Sequence, residues 1–206
     1  MKEIVLSTAY LPTIEYFAFI AKSEVFFMEA QENFQKQTYR NRAYIMTSGG
    51  VQMLILPTRH DTQGGCIRDV RIDYKCDWQT KHWRAIETAY SGTPYFLYFR
   101  DFIFPFFQKK YEFLFDFNLE LTLELLRLFK IKKVPELTGT FEKEYMGKLD
   151  LRNRIHPKLP AIFSEQPYHQ IFDDRYPFTS GVSAIDLLFN IGPDTSYLLN
   201  LQKAQH

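Results

Sequence analysis

The sequence predicts an α/β fold, with a mainly parallel N-terminal sheet, a hairpin insertion and a helical C-terminal half. Three observations predict it. Two short strand-like runs, Glu3-Ile4-Val5-Leu6 and Val25-Phe26-Phe27-Met28, flank a segment with helical apolar spacing. Two more apolar runs bracket Ser48-Gly49-Gly50, a hairpin signal. From Asp77 onward the apolar period becomes helical.

The first element is a buried strand at Glu3–Leu6. Pro12 then stands near the first turn of a helix, where its missing N–H costs nothing. Ile14, Phe17, Ala18 and Ala21 give that helix an apolar face. A strand, a helix and a strand within 28 residues make a Rossmann-like βαβ unit, closed by a right-handed crossover into a parallel pair. Ala43–Met46 and Val51–Leu56 form the hairpin arms, and Pro57 closes the second. Residues 58–66 contain Gly64 and Gly65 and read as a loop. Ile67–Tyr74 has Ile67, Val70 and Ile72 near one face and reads as a further strand.

Asp77 is the expected N-cap of a helix carrying Trp78, His82, Ile86, Ala89 and Tyr90 along one stripe. Ser91-Gly92-Thr93-Pro94 ends it. Tyr95–Phe107 reads as a second helix broken at Pro105. Asn118 is the expected cap of a third, which carries Leu121, Leu125, Leu128 and Phe129 and ends near Lys132-Lys133, with lysines suiting the dipole. Residues 138–165 are polar and contain Gly139, Gly147, Pro157 and Pro160, the pattern of a long loop or lid with short strands. Ser183 then caps a last helix with Asp186 at its third position, and Asn190, Gly192 and Pro193 stop it. The chain reads as one domain over 1–206.

Composition narrows the function classes. The net charge is +1, with no basic arm or tail, so nucleic acid is not an expected partner. The longest apolar-rich stretch, Tyr95–Phe107, is interrupted by Arg100 and Asp101, and Met1–Leu6 has no leader pattern. Membrane insertion is not expected, and a cytoplasmic location is. The two cysteines, Cys66 and Cys76, lack ligand spacing with His60 or His82, so no metal site is expected. Aromatic residues make up 17% of the chain, with 20 Phe and 13 Tyr, which suits an aromatic core more than a stacking surface.

Several compact polar-aromatic groups could carry chemistry. Tyr10 lies on the loop after the first strand, where ligands sit in open parallel sheets. Arg40 and Arg42 point the same way on a strand, and Arg suits bidentate phosphate or carboxylate binding. The alternative is an ion pair with Glu29 or Glu32, with Asn41 satisfying a turn. His82 is either a general acid–base or a core histidine hydrogen-bonded inside a helix–sheet interface. Asp186 is either a helix-capping scaffold residue or the group that orients His82 or an arginine.

These groups together resemble the WbqC-like family, associated with bacterial surface-polysaccharide (O-antigen) gene clusters. Tyr10, Pro12, Tyr16 and Phe17 match the family's opening Gln-x-Asn-Tyr-x-Pro turn and following Tyr-Phe. Ser7 stands where the family has Gln, and Ala9 where it has Asn. Tyr39-Arg40-Asn41-Arg42 is similar to its Trp-Arg-Asn-Arg run. Trp78 and His82, then Tyr90 and Pro94-Tyr95, follow its Trp-x-x-x-His pattern. Gln170 with Phe172, and Ser183, Asp186, Asn190 and Gly192, match its C-terminal signature.

The resemblance implies a pathway. The expected site has His82 and Asp186 as catalytic residues and Tyr10, Arg40, Asn41, Arg42, Tyr90 and Gln170 as substrate-binding residues. The expected partner is a small molecule, a nucleotide sugar or an acyl donor, with the cofactor and oligomeric state left open. Two functions stay in view: a transferase acting on an activated or amino sugar, and a non-catalytic binding or accessory protein. The missing amides at Ser7 and Ala9 favour the second.

Overall fold

A computed structural model describes residues 2–201 and 203–204. Strand β1 (Glu3–Ser7) leads through Thr13, whose side chain accepts from the Tyr16 N–H, into helix α1 (Ile14–Lys22). The chain returns in strand β2 (Val25–Glu29), paired parallel to β1 with Ile4 opposite Phe26. Ile4, Val5 and Leu6 are all buried, as expected of a parallel strand covered on both faces. The expected βαβ unit is therefore present.

An antiparallel hairpin follows, strand β3 (Arg42–Thr47) against strand β4 (Gly50–Ile55), turning at Ser48-Gly49. Gly50 sits at φ 95°, which only glycine adopts without strain. Helix α2 (Trp78–Tyr90) is capped by the Asp77 carboxylate. Helix α3 (Phe96–Ile103) gives way to a 3-10 turn, Phe104–Phe107, at Pro105. Helix α4 (Leu114–Leu128) comes next. Two short strands then complete the parallel sheet: β5 (Glu136–Leu137) beside β2 and β6 (Leu149–Asp150) beside β1, giving the order β5-β2-β1-β6. Strand β7 (Phe163–Ser164) precedes helix α5 (Ala184–Ile191), helix α6 (Thr195–Leu201) and strand β8 (Lys203–Ala204), which pairs with β7. Helices α5 and α6 pack on α1. None of the described helices is long and apolar enough to cross a membrane.

Three expectations are corrected. Ile67–Tyr74 is not a strand: Ile67–Asp69 is a 3-10 turn, and only isolated bridges, Thr58 to Ile72 and Arg71 to Phe113, follow. Ile67 and Val70 are three residues apart and both buried, a spacing that a single 3-10 turn serves and strand alternation does not. Asn118 does not cap α4. It lies inside that helix, fully buried, and its amide donates to the Arg40 carbonyl at 2.8 Å. The same helix ends at Leu128, before the lysines, where Lys130 takes a left-handed φ of 57°. Lys133 instead donates to the carbonyls of Ile20, Ala21 and Ser23, closing the C-terminus of α1.

Candidate functional site

The residues singled out by sequence fall into separate clusters. Tyr10 and His82 meet: the phenol lies 2.8 Å from Nδ1, and the ring's remaining hydrogen bond goes to the Ile55 backbone. Donation to Ile55 leaves Nδ1 to accept from Tyr10. Trp78 stands edge-on to the imidazole at 5.4 Å, and Phe117 packs on Tyr10. Burial lowers the His82 pKa to about 4, so the ring is neutral at neutral pH. Replacing His82 by Ala should leave the Tyr10 hydroxyl and the Ile55 carbonyl unpaired. The expected cost is roughly 1–3 kcal/mol, read as an earlier urea midpoint with unchanged slope. An unchanged midpoint would remove this structural role.

Asp186, Tyr168, Gln170, Tyr90 and Asn190 form a second cluster around the start of α5. The fully buried Asp186 carboxylate accepts from Tyr168 at 2.6 Å, from Gln170 at 3.2 Å and from Asn190 at 3.3 Å. Tyr90 accepts from the Met46 amide and faces the same carboxylate. Gln170 also grips the Thr179 backbone from both ends of its amide, at 2.8 and 3.1 Å. Burial raises the Asp186 pKa against these hydrogen bonds. Among the described residues its side-chain hydrogen bonds reach neither His82 nor an arginine.

The arginines divide. Arg40 is buried and pairs with buried Glu32 through two bonds, Nε at 2.9 Å and Nη2 at 2.5 Å, while Nη2 also reaches the Ser7 hydroxyl at 2.7 Å. This is the local-acid alternative, with Glu32 as the acid. Asn41 donates to the Leu56 carbonyl at 3.0 Å, holding the base of the hairpin. Arg42 is half-buried at the start of β3 and has no ion pair or side-chain hydrogen bond among the described residues. A matching buried pair stands nearby, where Arg152 binds Glu29 and Asp150 and ties residues 142–152 to the sheet. With Ser7, Thr8 and Ala9 these arginines leave only about 10 Å³ at the carboxyl end of β1, room for one water.

A larger opening lies elsewhere. A cleft of about 340 Å³ is bounded by Thr13 and Glu15 at the start of α1, Tyr39 and Tyr44, His156, Pro157 and Leu159–Ala161 of a strap over residues 156–161, Glu165, and Ser180–Val182 before α5. Backbone bonds fix its base: Ser183 N–H to the Tyr44 carbonyl at 2.7 Å and Ala184 N–H to the Pro12 carbonyl at 2.8 Å. The Tyr39 and Tyr44 rings meet edge to face at 6.1 Å. Glu15 accepts from the Ile162 and Phe163 amides, which draws the end of the strap over α1.

Glu165 is the unusual group of this cleft. It is 8% exposed, and one carboxylate oxygen accepts from the Gly181 N–H at 3.1 Å. The other is buried and has no hydrogen-bond partner in the structure. Burial, with the charges of Glu15 and Asp186 nearby, pushes its pKa up to about 7. A carboxyl half-protonated near neutral pH in a cleft has the properties of an acid–base group. Burial also raises the Glu15 pKa against its two amide bonds, and lowers that of His156. Among the described residues no group of three or more His, Cys, Asp and Glu side chains is placed to hold a metal ion.

None of the expected catalytic or substrate-binding residues lines this cleft. In the sequence Tyr39 is part of the Tyr-Arg-Asn-Arg run, and Glu165 is the last residue of the polar 138–165 segment. Glu15 reads as an ordinary acid in the first turn of a helix. Only the fold brings it to Glu165.

The fold is thus a parallel α/β core carrying a hairpin, with an acidic, tyrosine-walled cleft beside it. The chain belongs to the WbqC-like protein family, whose pattern it matches over residues 8–161. It is also 32% identical over 116 residues to the uncharacterized protein Rv1507c of Mycobacterium tuberculosis, covering 53% of this chain and 48% of that protein. The chain thus spans about half the length of this curated relative. No solved structure matches.

Proposed function

We propose that this WbqC-like protein acts in the cytoplasm on an activated or amino sugar of surface-polysaccharide assembly. The sugar occupies the cleft, and Glu165 transfers the proton. The observation that carries the reading is the buried, half-bonded Glu165 carboxyl with a pKa near 7. Tyr39 and Tyr44 supply ring faces for a sugar, and Thr13, Ser180 and Glu15 supply polar groups at the wall. The family resemblance supports the pathway. The reading takes residues 1–206 as one WbqC-like domain, because Glu165 and Gly181 lie beyond the matched segment.

A second reading, a non-catalytic binding protein of the same pathway, is favoured by Ser7 and Ala9. The family's amides are missing there, and the end of β1 is nearly closed. Both readings place the ligand in the cleft and differ in turnover. Free and nucleotide-linked sugars screened by thermal shift should include a stabilising ligand. At about 100 times its Kd it should add roughly 2.7 kcal/mol. Tyr44→Ala should remove most of that gain. A shift that survives Tyr44→Ala intact, or a panel without any stabilising sugar, would contradict the reading. Product formed by the parent and lost in Glu165→Gln selects the enzyme; binding without product selects the second reading.

A further inference from the structure

We infer that the inner end of the cleft is an ammonium subsite, taking the protonated primary amine of an amino sugar on the free oxygen of Glu165. The inference rests on the reading of the cleft as a sugar site and narrows its ligand. It starts from an unmet bond. The Glu165 carboxylate is 8% exposed, lines the cleft and uses only one oxygen, on the Gly181 N–H. Its second oxygen is buried without a partner, which a native structure rarely tolerates unless a ligand or water completes it. An N⁺–H donor forms the strongest bond such an oxygen can accept.

The surroundings select the sign of the charge. The described lining contains two carboxylates, Glu15 and Glu165, and neither lysine nor arginine. His156, the basic side chain on the wall, has its pKa lowered by burial and by the neighbouring charges of Lys158 and Arg40, so it is neutral at neutral pH. A phosphate would meet two acids without a counter-charge, whereas an ammonium would neutralise one of them. The edge-to-face Tyr39 and Tyr44 rings suit the same guest, since aromatic faces attract cations. Glu15 spends its carboxylate on the Ile162 and Phe163 amides, so it shapes the strap and adds negative potential. Arg40 and Arg152 are committed to buried pairs with Glu32 and Glu29, and neither lines the cleft.

The test is calorimetric titration of the parent protein and Glu165→Gln with glucosamine, glucose and N-acetylglucosamine. Glucose removes the amine, and the acetyl group removes its charge. The parent should bind glucosamine at least about tenfold more tightly than either analogue, the share expected of one charge-assisted bond. Glu165→Gln should erase that preference while keeping the weaker sugar binding. The variant removes a buried charge, so it is expected to fold, and a melting curve verifies this. Equal affinity for all three ligands would overturn the ammonium subsite and leave the sugar reading standing. A glucosamine preference that persists in Glu165→Gln would also overturn it. Absence of binding by every ligand would overturn both.

Discussion

Glu165→Gln should make the protein more stable at neutral and alkaline pH, and the gain should vanish in acid. The folded-state pKa of Glu165 is raised to about 7, above its ordinary carboxylate value. Between the two, the folded chain holds a proton that the unfolded chain has released. Stability therefore falls as pH rises from roughly 4.5 to 7 and is flat above. A displacement of about 2.5 pH units corresponds to roughly 3 kcal/mol. Gln keeps the bond to Gly181 and carries no charge. The difference in melting temperature between variant and parent should be near zero at about pH 4 and reach roughly 6–12 °C above pH 7. His82 contributes the opposite slope, because its lowered pKa makes the fold less stable as pH falls through about 6.5 to 4. The parent's own profile mixes the two, so only the difference between variant and parent isolates Glu165. A difference that is independent of pH would mean that Glu165 titrates normally.

The second large effect belongs to Arg40. Arg40 and Glu32 are 2% and 3% exposed, and Arg40 also holds the Ser7 hydroxyl at the end of β1. Arg40→Met should cost about 3–5 kcal/mol, because it leaves the Glu32 carboxylate buried without its counter-ion. Arg40→Lys should also be destabilising, since an ammonium cannot reproduce the fork that meets both Glu32 oxygens. Arg40→Met with Glu32→Leu should recover most of the loss, as an apolar pair of similar volume does not carry the stranded charge. Urea titration of the parent, Arg40→Met, Glu32→Leu and the double variant gives the coupling directly. A single Arg40→Met variant within about 1 kcal/mol of the parent would show that the pair is not structural.

The sequence made the frame legible where local pattern and tertiary demand agree. The βαβ unit could be read because Ile14, Phe17 and Ala18 lie at helical spacing between two buried strands. The hairpin could be read because Ser48-Gly49-Gly50 leaves the chain one tight turn. Asn118 misled because a polar side chain before an apolar helix looks like a cap, and its partner, the Arg40 carbonyl, is 78 residues away. Lys133 misled in the same way, since it closes a helix that ended long before it.

The candidate site was less legible, and the reason is physical. Arg40, Asn41, His82, Gln170 and Asp186 draw attention because they are polar among aromatics. Each meets a buried hydrogen-bonding demand of the fold itself: Glu32, Leu56, Tyr10, Thr179 and Tyr168. A sequence writes such internal demands in the same residues as demands made by a ligand. Glu15 and Glu165 carry no local mark, because their shared cleft arises only when the strap and the α5 entrance close over α1.

The central claim is that Glu165, in the cleft, is the group set aside for chemistry or binding. Carbon-detected NMR titration of its side-chain carboxyl, assigned by comparison with Glu165→Gln, reads that property without a ligand or an assay. The carboxyl resonance should titrate with a midpoint close to 7 and should shift when glucosamine is added. A midpoint between about 4 and 5, the range of an unperturbed glutamate, would contradict the account.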